Sequence, residues 1–153
     1  MTQNNWDKKY LQLAKEVSTW SKDPSSKIGA VAVGNHGQIL ATGYNGFPRK
    51  IQDSEDRLKD REIKYAYTIH GEMNCIYNAS LTGVSLNKAN LYVFGLPVCS
   101  ECAKGVVQVG IKKVFACHPV IVNTKWQESN YLSQMIFKEA GVEYNTIINH
   151  GEL

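Results

Sequence analysis

Two short motifs carry residue types that could hold a metal ion and use it for chemistry. A His-x-Glu motif, residues 70–72, stands at the start of one predicted helix, and a Cys-x-x-Cys motif, residues 99–102, stands at the start of the next. One imidazole and two thiolates fill three corners of a zinc tetrahedron and leave the fourth to water, which is typical of catalytic zinc. We therefore predict that His70, Cys99 and Cys102 bind Zn²⁺.

Glu72 is the predicted catalytic residue, because it lies two residues from a metal ligand and can reach the fourth zinc position without binding the metal. Zinc lowers the pKa of a bound water from about 15.7 to about 7. A neighbouring carboxylate can take that proton and deliver it to a ring nitrogen and then to a leaving amine. These are the requirements of hydrolytic deamination of an aminopyrimidine or an aminopurine.

The order His-x-Glu…Pro-Cys-x-x-Cys is the general signature of zinc-dependent deaminases, and it is a known pattern. This chain departs from the signature in one detail, because Val98 stands between Pro97 and Cys99. We expect the turn before the first thiolate to be built differently while the ligands themselves are kept.

Other interpretations of the cysteine pair have to be considered. A Cys-x-x-Cys pair alone fits a structural zinc half-site or a redox pair, and a closed structural site needs a fourth ligand. The candidates for that ligand are poor, because we expect Cys75 to be a buried core residue and Cys117 and His118 to be structural. A zinc-bearing module without catalysis is a further alternative, although the loss of activity would most readily have changed Glu72, which is present.

The predicted elements must bring the two helix starts together. The 26 residues between Glu72 and Cys99 suffice for one helix, one connection and one strand. Along the chain, periodicity and turn signals predict the order α-β-β-α-β-α-β-α-β. This order predicts an α/β fold in which a mixed sheet of about five strands is covered by helices on both faces.

Three segments carry more specific structural predictions. Residues 49–64 are polar with interleaved charges, and we expect an irregular surface insertion with one helical turn. The predicted apolar stripe of the first helix consists of Trp6, Tyr10, Leu13, Val17 and Trp20. The predicted apolar face of the last helix consists of Leu132, Met135, Ile136 and Ala140.

Composition narrows the class of protein. The 153 residues fit one domain, 1–153, and the 43% apolar and 20% charged residues are typical of a globular chain. The first residues lack the apolar core of a secretion signal, and no stretch approaches the roughly 18 apolar residues of a membrane helix. We therefore expect a soluble, cytoplasmic protein without a membrane partner. The net charge of +3 and the alternating charges of residues 56–62 also predict no nucleic-acid partner.

Further segments outside the zinc motifs also resemble a known protein family, and the similarity runs from about Trp6 to Val142. They are Ser-Lys-Asp-Pro at 21–24, Ile-Gly-Ala-Val at 28–31, Gly-Tyr-Asn-Gly-Phe-Pro at 43–48, Glu-Cys-Ala-Lys at 101–104, Gln-x-Gly-Ile-Lys at 108–112 and Glu-Ala-Gly-Val at 139–142. With these segments the chain resembles the deoxycytidylate deaminases of the cytidine deaminase superfamily. The resemblance implies a cytidine-deaminase-like three-layer α/β/α fold and a hydrolase acting on a cyclic amidine, which converts dCMP to dUMP and ammonia for thymidylate synthesis.

The resemblance also implies roles for individual residues. His70, Cys99 and Cys102 match the zinc ligands, and Glu72 matches the proton shuttle. Asn45 matches an asparagine that binds the sugar or base of the substrate.

Substrate and effector contacts are less specifically implied. Tyr44 is a candidate for nucleotide contact, and the segment Gly43, Tyr44, Asn45, Gly46 resembles the region where effectors sit between subunits. Members of the family are commonly homo-oligomers, often hexamers, that dCTP activates and dTTP inhibits. The cations available for the substrate phosphate are Lys22, Lys27, Arg49 and Lys104, and their spacing does not select among them. The alternative function is deamination of another nucleoside, a nucleobase or a tRNA base on the same fold.

Overall fold

A computed structural model describes residues 4–151 and 153 of the chain. Along these residues, helices and strands alternate much as the sequence predicts. The elements are α1 (Asn5–Ser18), β1 (Gly29–Val33), β2 (Ile39–Tyr44), α2 (Glu55–Lys59), α3 (Arg61–Tyr67), α4 (Gly71–Leu81), β3 (Asn90–Phe94), α5 (Ser100–Gln108), β4 (Lys113–His118), α6 (Thr124–Ala140) and β5 (Glu143–Ile148).

The five strands form one mixed sheet in the order β2-β1-β3-β4-β5. The β1 strand is antiparallel to both of its neighbours, whereas β3, β4 and β5 are parallel to one another. Parallel neighbours require a crossover, and α5 and α6 supply the two crossovers. The predicted α/β class with a mixed five-stranded sheet is therefore confirmed.

Strand alternation gives the sheet two buried faces, each covered by helices. One face presents residues such as Ala30, Leu91 and Val114 to α4, α5 and α6. The opposite face packs Val31, Tyr92 and other residues against α1. The result is the expected α/β/α arrangement of three layers. Among the residues that the structure describes, no helix is both long and apolar enough to cross a membrane.

The buried face of α1 differs from the predicted stripe. Trp6 and Trp20 are exposed to 61% and 51%, so their assignment to the stripe is wrong. The residues that α1 buries are Asp7, Leu11, Ala14, Val17 and Ser18. Asp7 belongs to this face because its Oδ1 accepts a hydrogen bond of 2.5 Å from the Tyr92 hydroxyl, which satisfies the carboxylate inside the protein.

The apolar face predicted for the last helix is also wrong. Leu132, Met135 and Ala140 of α6 are exposed, and only Ile136 of the predicted set packs partly against the core. The helix instead buries Ser133 and Phe137 completely.

The polar segment 49–64 is more regular than predicted, because it contains α2 and the start of α3. Both helices begin at a capping side chain. Ser54 Oγ accepts from the Arg57 N–H, and Asp60 Oδ1 accepts from the Ile63 N–H. Such caps satisfy the free N–H groups of a helix start, so two short helices form where alternating charges suggest an irregular loop.

Gly43 allows β2 to lie against α4, which generates a stability prediction. A Cβ at this position would lie 2.2 Å from the backbone nitrogen of Cys75. We expect Gly43→Ala to lower the free energy of unfolding by about 1–3 kcal/mol, because the strand and the helix must separate. Denaturant unfolding of the purified variant measures the loss.

Gly46→Ala is the matched control for this prediction. A Cβ at Gly46 meets no atom within 4 Å, so the control should unfold at nearly the denaturant concentration of the unchanged protein. Equal losses in the two variants would contradict the packing argument.

Candidate active site

The three predicted metal ligands lie together where α4 and α5 begin. His70 is the N-cap residue of α4, Cys99 is the N-cap residue of α5, and Cys102 lies in the first turn of α5. His70 Nδ1 is 3.3 Å from Cys99 Sγ and 3.4 Å from Cys102 Sγ. All three donor atoms lie within 4.8 Å of one another.

This geometry fits a zinc ion. Zinc–sulfur bonds of about 2.3 Å and zinc–nitrogen bonds of about 2.0–2.1 Å in a tetrahedron place nitrogen and sulfur about 3.5 Å apart. The two nitrogen–sulfur distances are close to this value. One nitrogen and two sulfur donors also form a ligand set that leaves one position open, as catalytic zinc sites do.

The local environment favours a thiolate at Cys99. Hydrogen bonds from the Cys102 thiol and from His70 lower the pKa of the Cys99 thiol to about 4, although burial alone would raise it. The Cys102 backbone N–H also donates to Cys99 Sγ over 3.4 Å. The Cys99 hydrogen bond likewise raises the pKa of His70. The same pairing with Cys99, together with burial, raises the pKa of Cys102.

Glu72 lies beside these donors, in the first turn of α4, and only 4% of its surface is exposed. Burial raises the pKa of its carboxyl group to about 7. The side chain lines a cleft of about 150 Å³ together with His70. A buried carboxyl group at the wall of a cleft, next to a candidate metal centre, has the position of a general acid or base.

The cleft is lined by residues from six parts of the chain. These residues are Asp23, Ser25, Ser26, Ile28, Asn45, Lys64, Tyr65, Thr68, His70, Glu72, Leu96, Pro97 and Trp126. Of the residues singled out in the sequence, His70, Glu72 and Asn45 are among them. The other lining residues are not among the site residues that the sequence motifs predict.

Asn45 connects two parts of the cleft wall. Its Oδ1 accepts from the Ile28 N–H, and its Nδ2 donates to the Ser26 carbonyl, each over 2.8 Å. A carboxamide has two N–H donors and two acceptor lone pairs. One donor and one lone pair of Asn45 therefore remain for a ligand in the cleft.

Lys64 and Asp23 form a buried ion pair at the cleft wall. Lys64 Nζ lies 3.2 Å from Asp23 Oδ1 and 3.2 Å from Ser25 Oγ, and both charged side chains are about nine-tenths buried. Although burial opposes it, hydrogen bonds from the N–H groups of Ser26 and Ser25 and from Lys64 lower the pKa of Asp23. Among the described residues that line this cleft, Lys64 is the one lysine or arginine.

Several predicted contacts lie elsewhere. Lys22 is exposed and forms an ion pair of 3.2 Å with Asp53. Tyr44 is half-exposed, packs edge-on against Trp20 and, with Gly46, lines a separate pocket of about 320 Å³. Gly43 lies within β2 against α4. Of the segment predicted to bind effectors, Asn45 thus lines the cleft, whereas Tyr44 and Gly46 line the second pocket.

Comparisons with known proteins point to one family. The family model described as "Cytidine and deoxycytidylate deaminase zinc-binding region" matches residues 4–118. An uncharacterized deaminase encoded in the luxG 3′ region of Aliivibrio fischeri is 39% identical over 142 residues, covering 92% of each chain. The deoxycytidylate deaminase of Homo sapiens is 32% identical over 153 residues, covering 94% of this chain and 80% of the human protein.

A solved structure shows the same fold. The dCMP deaminase from the cyanophage S-TIM5, crystallised with dCMP and dUMP, superimposes with a TM-score of 0.75. The match covers 96% of this chain and all of the cyanophage chain at 23% sequence identity.

Proposed function

The chain belongs to the cytidine and deoxycytidylate deaminase family of hydrolases, and on this premise we propose that it converts dCMP and water to dUMP and ammonia. The dUMP would supply thymidylate synthesis. The observation that carries the proposal is the convergence of His70, Cys99 and Cys102 beside the buried carboxyl group of Glu72 at one cleft. The deoxycytidylate deaminase relatives support dCMP as the substrate.

Each residue at the centre has a proposed role. His70, Cys99 and Cys102 would hold zinc, which when bound acts as a Lewis acid and activates water near neutral pH. Glu72 takes a proton from the attacking water and donates one to N3 of the pyrimidine. The water oxygen bonds to C4 as a hydroxyl group. Glu72 then takes the remaining proton of this hydroxyl and delivers it to the amino group, so that the C4–N4 bond breaks, ammonia leaves and C4 becomes a carbonyl. Asn45 offers its remaining donor and acceptor to the base or sugar.

The position of Lys64 in the cleft wall favours a nucleotide over a nucleoside as the substrate. A 5′-monophosphate carries about two negative charges, and binding it in a small cleft requires a cation or several N–H and O–H donors. Lys64 Nζ has three protons, of which Asp23 and Ser25 Oγ engage two. We therefore assign the substrate phosphate to Lys64, with the Ser25 hydroxyl beside it. A neutral nucleoside would need no cation in the cleft wall.

Regulation and assembly follow from the family resemblance. We propose activation by dCTP, inhibition by dTTP and a homo-oligomer, with a hexamer as the expected form. The separate pocket of about 320 Å³ supports a nucleotide effector, because it combines the rings of Tyr44 and Phe47 with the guanidinium group of Arg49. Aromatic faces and a bidentate cation are the groups that bind bases and phosphates.

The first prediction from the proposed function concerns metal and substrate together. Purified protein should contain about one zinc per chain by elemental analysis and should release ammonia from dCMP, in assays with and without dCTP and dTTP. A chelator should abolish activity by removing the ion, and added zinc should restore it. If the zinc-loaded protein releases no ammonia from dCMP under any of these conditions, the proposed function is wrong.

The second prediction tests Glu72. We expect Glu72→Gln to retain zinc and to lower kcat by about 10²–10⁴, because the amide cannot transfer the proton. Glu101→Gln is the matched control, since its side chain is exposed and pairs with Lys104. Near-normal turnover by Glu72→Gln would remove this residue from the mechanism.

The third prediction tests Lys64 through product binding. We expect Lys64→Met to raise the inhibition constant of dUMP by about 10–100-fold, the effect of losing a hydrogen bond to a charged group. The inhibition constant of deoxyuridine, which has no phosphate, should change by less than about twofold. Lys59→Met serves as the control, since Lys59 is exposed in the same segment.

The comparison of two inhibitors in one variant separates phosphate binding from stability. Removing Lys64 also leaves Asp23 without its buried partner, so some loss of stability is expected. A parallel rise of both inhibition constants would show that Lys64 supports the cleft without contacting the phosphate.

A further inference from the structure

The backbone around Cys99 is held by side chains from the C-terminal part of the chain. Cys99 is the N-cap residue of α5, and its carbonyl accepts the first helical hydrogen bond, from the Ala103 N–H over 2.9 Å. The peptide groups of Val98, which comes before it, lie outside the helix and have no helical partner. Val98, which stands between Pro97 and Cys99, is completely buried. Buried N–H and C=O groups need partners inside the protein.

Three hydrogen bonds supply these partners. The Val98 N–H donates to Tyr144 Oη over 3.0 Å, and the Val98 carbonyl accepts from Ser133 Oγ over 2.8 Å. The Ser100 N–H donates to Ser129 Oγ over 2.9 Å. The residues on both sides of Cys99 are therefore fixed by side chains of α6 and β5.

The three side chains are themselves well positioned. Ser129 and Ser133 are four residues apart, so they lie on the same face of α6. Ser133 is completely buried, and the Tyr144 ring packs against Phe137 with 4.8 Å between ring centroids. The Tyr144 hydroxyl also donates to Asn130 Oδ1 over 3.3 Å. This hydrogen bond orients the hydroxyl group, whose oxygen accepts from the Val98 N–H.

We propose that Ser129, Ser133 and Tyr144 are positioning residues for the metal centre. By fixing the backbone of residues 98–100, they direct Cys99 Sγ towards the donors of His70 and Cys102. All three lie beyond residue 118, where the match to the zinc-binding region ends. This part of the chain thus contributes to metal binding without supplying a ligand. The inference rests on the zinc site of the proposed function.

The experiment measures zinc affinity in purified protein by competition with a chromophoric chelator. Tyr144→Phe keeps the ring and removes only the hydroxyl group, and Ser133→Ala removes the second hydrogen bond. We expect each variant to raise the zinc dissociation constant by about 10–100-fold, as the loss of a group that orients a ligand does. Tyr131→Phe is the matched control, because Tyr131 lies on α6 with 65% of its surface exposed, and its zinc affinity should be unchanged.

A spectroscopic measurement separates positioning from general stabilisation. In protein loaded with Co²⁺, the thiolate-to-metal charge-transfer band reports the geometry of the cysteine ligands. We expect Tyr144→Phe and Ser133→Ala to change this band, whereas Tyr131→Phe should leave it unchanged. Variants that unfold more easily but keep both zinc affinity and the cobalt band would overturn the inference.

The outcomes also distinguish this inference from the proposed function. If the unchanged protein takes up no zinc, the proposed function fails and the positioning role fails with it. If the unchanged protein binds zinc and deaminates dCMP while both variants bind zinc equally well, only the positioning role is wrong.

Discussion

The candidate site depends on two helix starts that meet closely enough for the donor atoms of three side chains to lie within 4.8 Å of one another. His70 and Cys99 are both N-cap residues, so their side chains project from helix ends, where free N–H groups and the helix dipole favour negative charge. This setting favours a thiolate at Cys99 beside the His70 imidazole. The sheet holds the two helix starts together, because α4 and α5 pack side by side on one of its faces.

The cleft combines a single buried carboxyl group, that of Glu72, with the buried ion pair of Lys64 and Asp23. Glu72 is enclosed mainly by protein, and this burial raises the pKa of its carboxyl group to about 7. Lys64 and Asp23 instead compensate each other, supported by the backbone at Ser25 and Ser26. A carboxyl group with a raised pKa and an ion pair therefore share a small space, which gives the cleft chemically different parts.

Local spacing sufficed to predict part of the molecule. The strand and helix order and the convergence of His70, Cys99 and Cys102 follow from motifs at helix starts, where sequence neighbours are also neighbours in space. Lys64 could not be found this way, since its partner Asp23 is 41 residues away and is reached only through the placement of α3. The buried faces of α1 and α6 were misjudged for one shared reason: Asp7 and Ser133 are polar residues that bond to distant groups inside the protein. Hydrophobic periodicity places such residues on the surface.

The hydrogen bonds to the Cys99 loop have a consequence for how the molecule matures. They span 29, 35 and 46 residues of sequence, and contacts of this range form late because the intervening chain must first be ordered. During synthesis the N-terminal elements emerge first. A nascent chain that has left the ribosome as far as α5 already contains the three proposed zinc ligands, yet the loop before α5 gains its full support only after α6 and β5 have been made and packed. With the proposed positioning role, metal binding before that moment would be weak and reversible, and firm binding would require α6 and β5 to be packed in place.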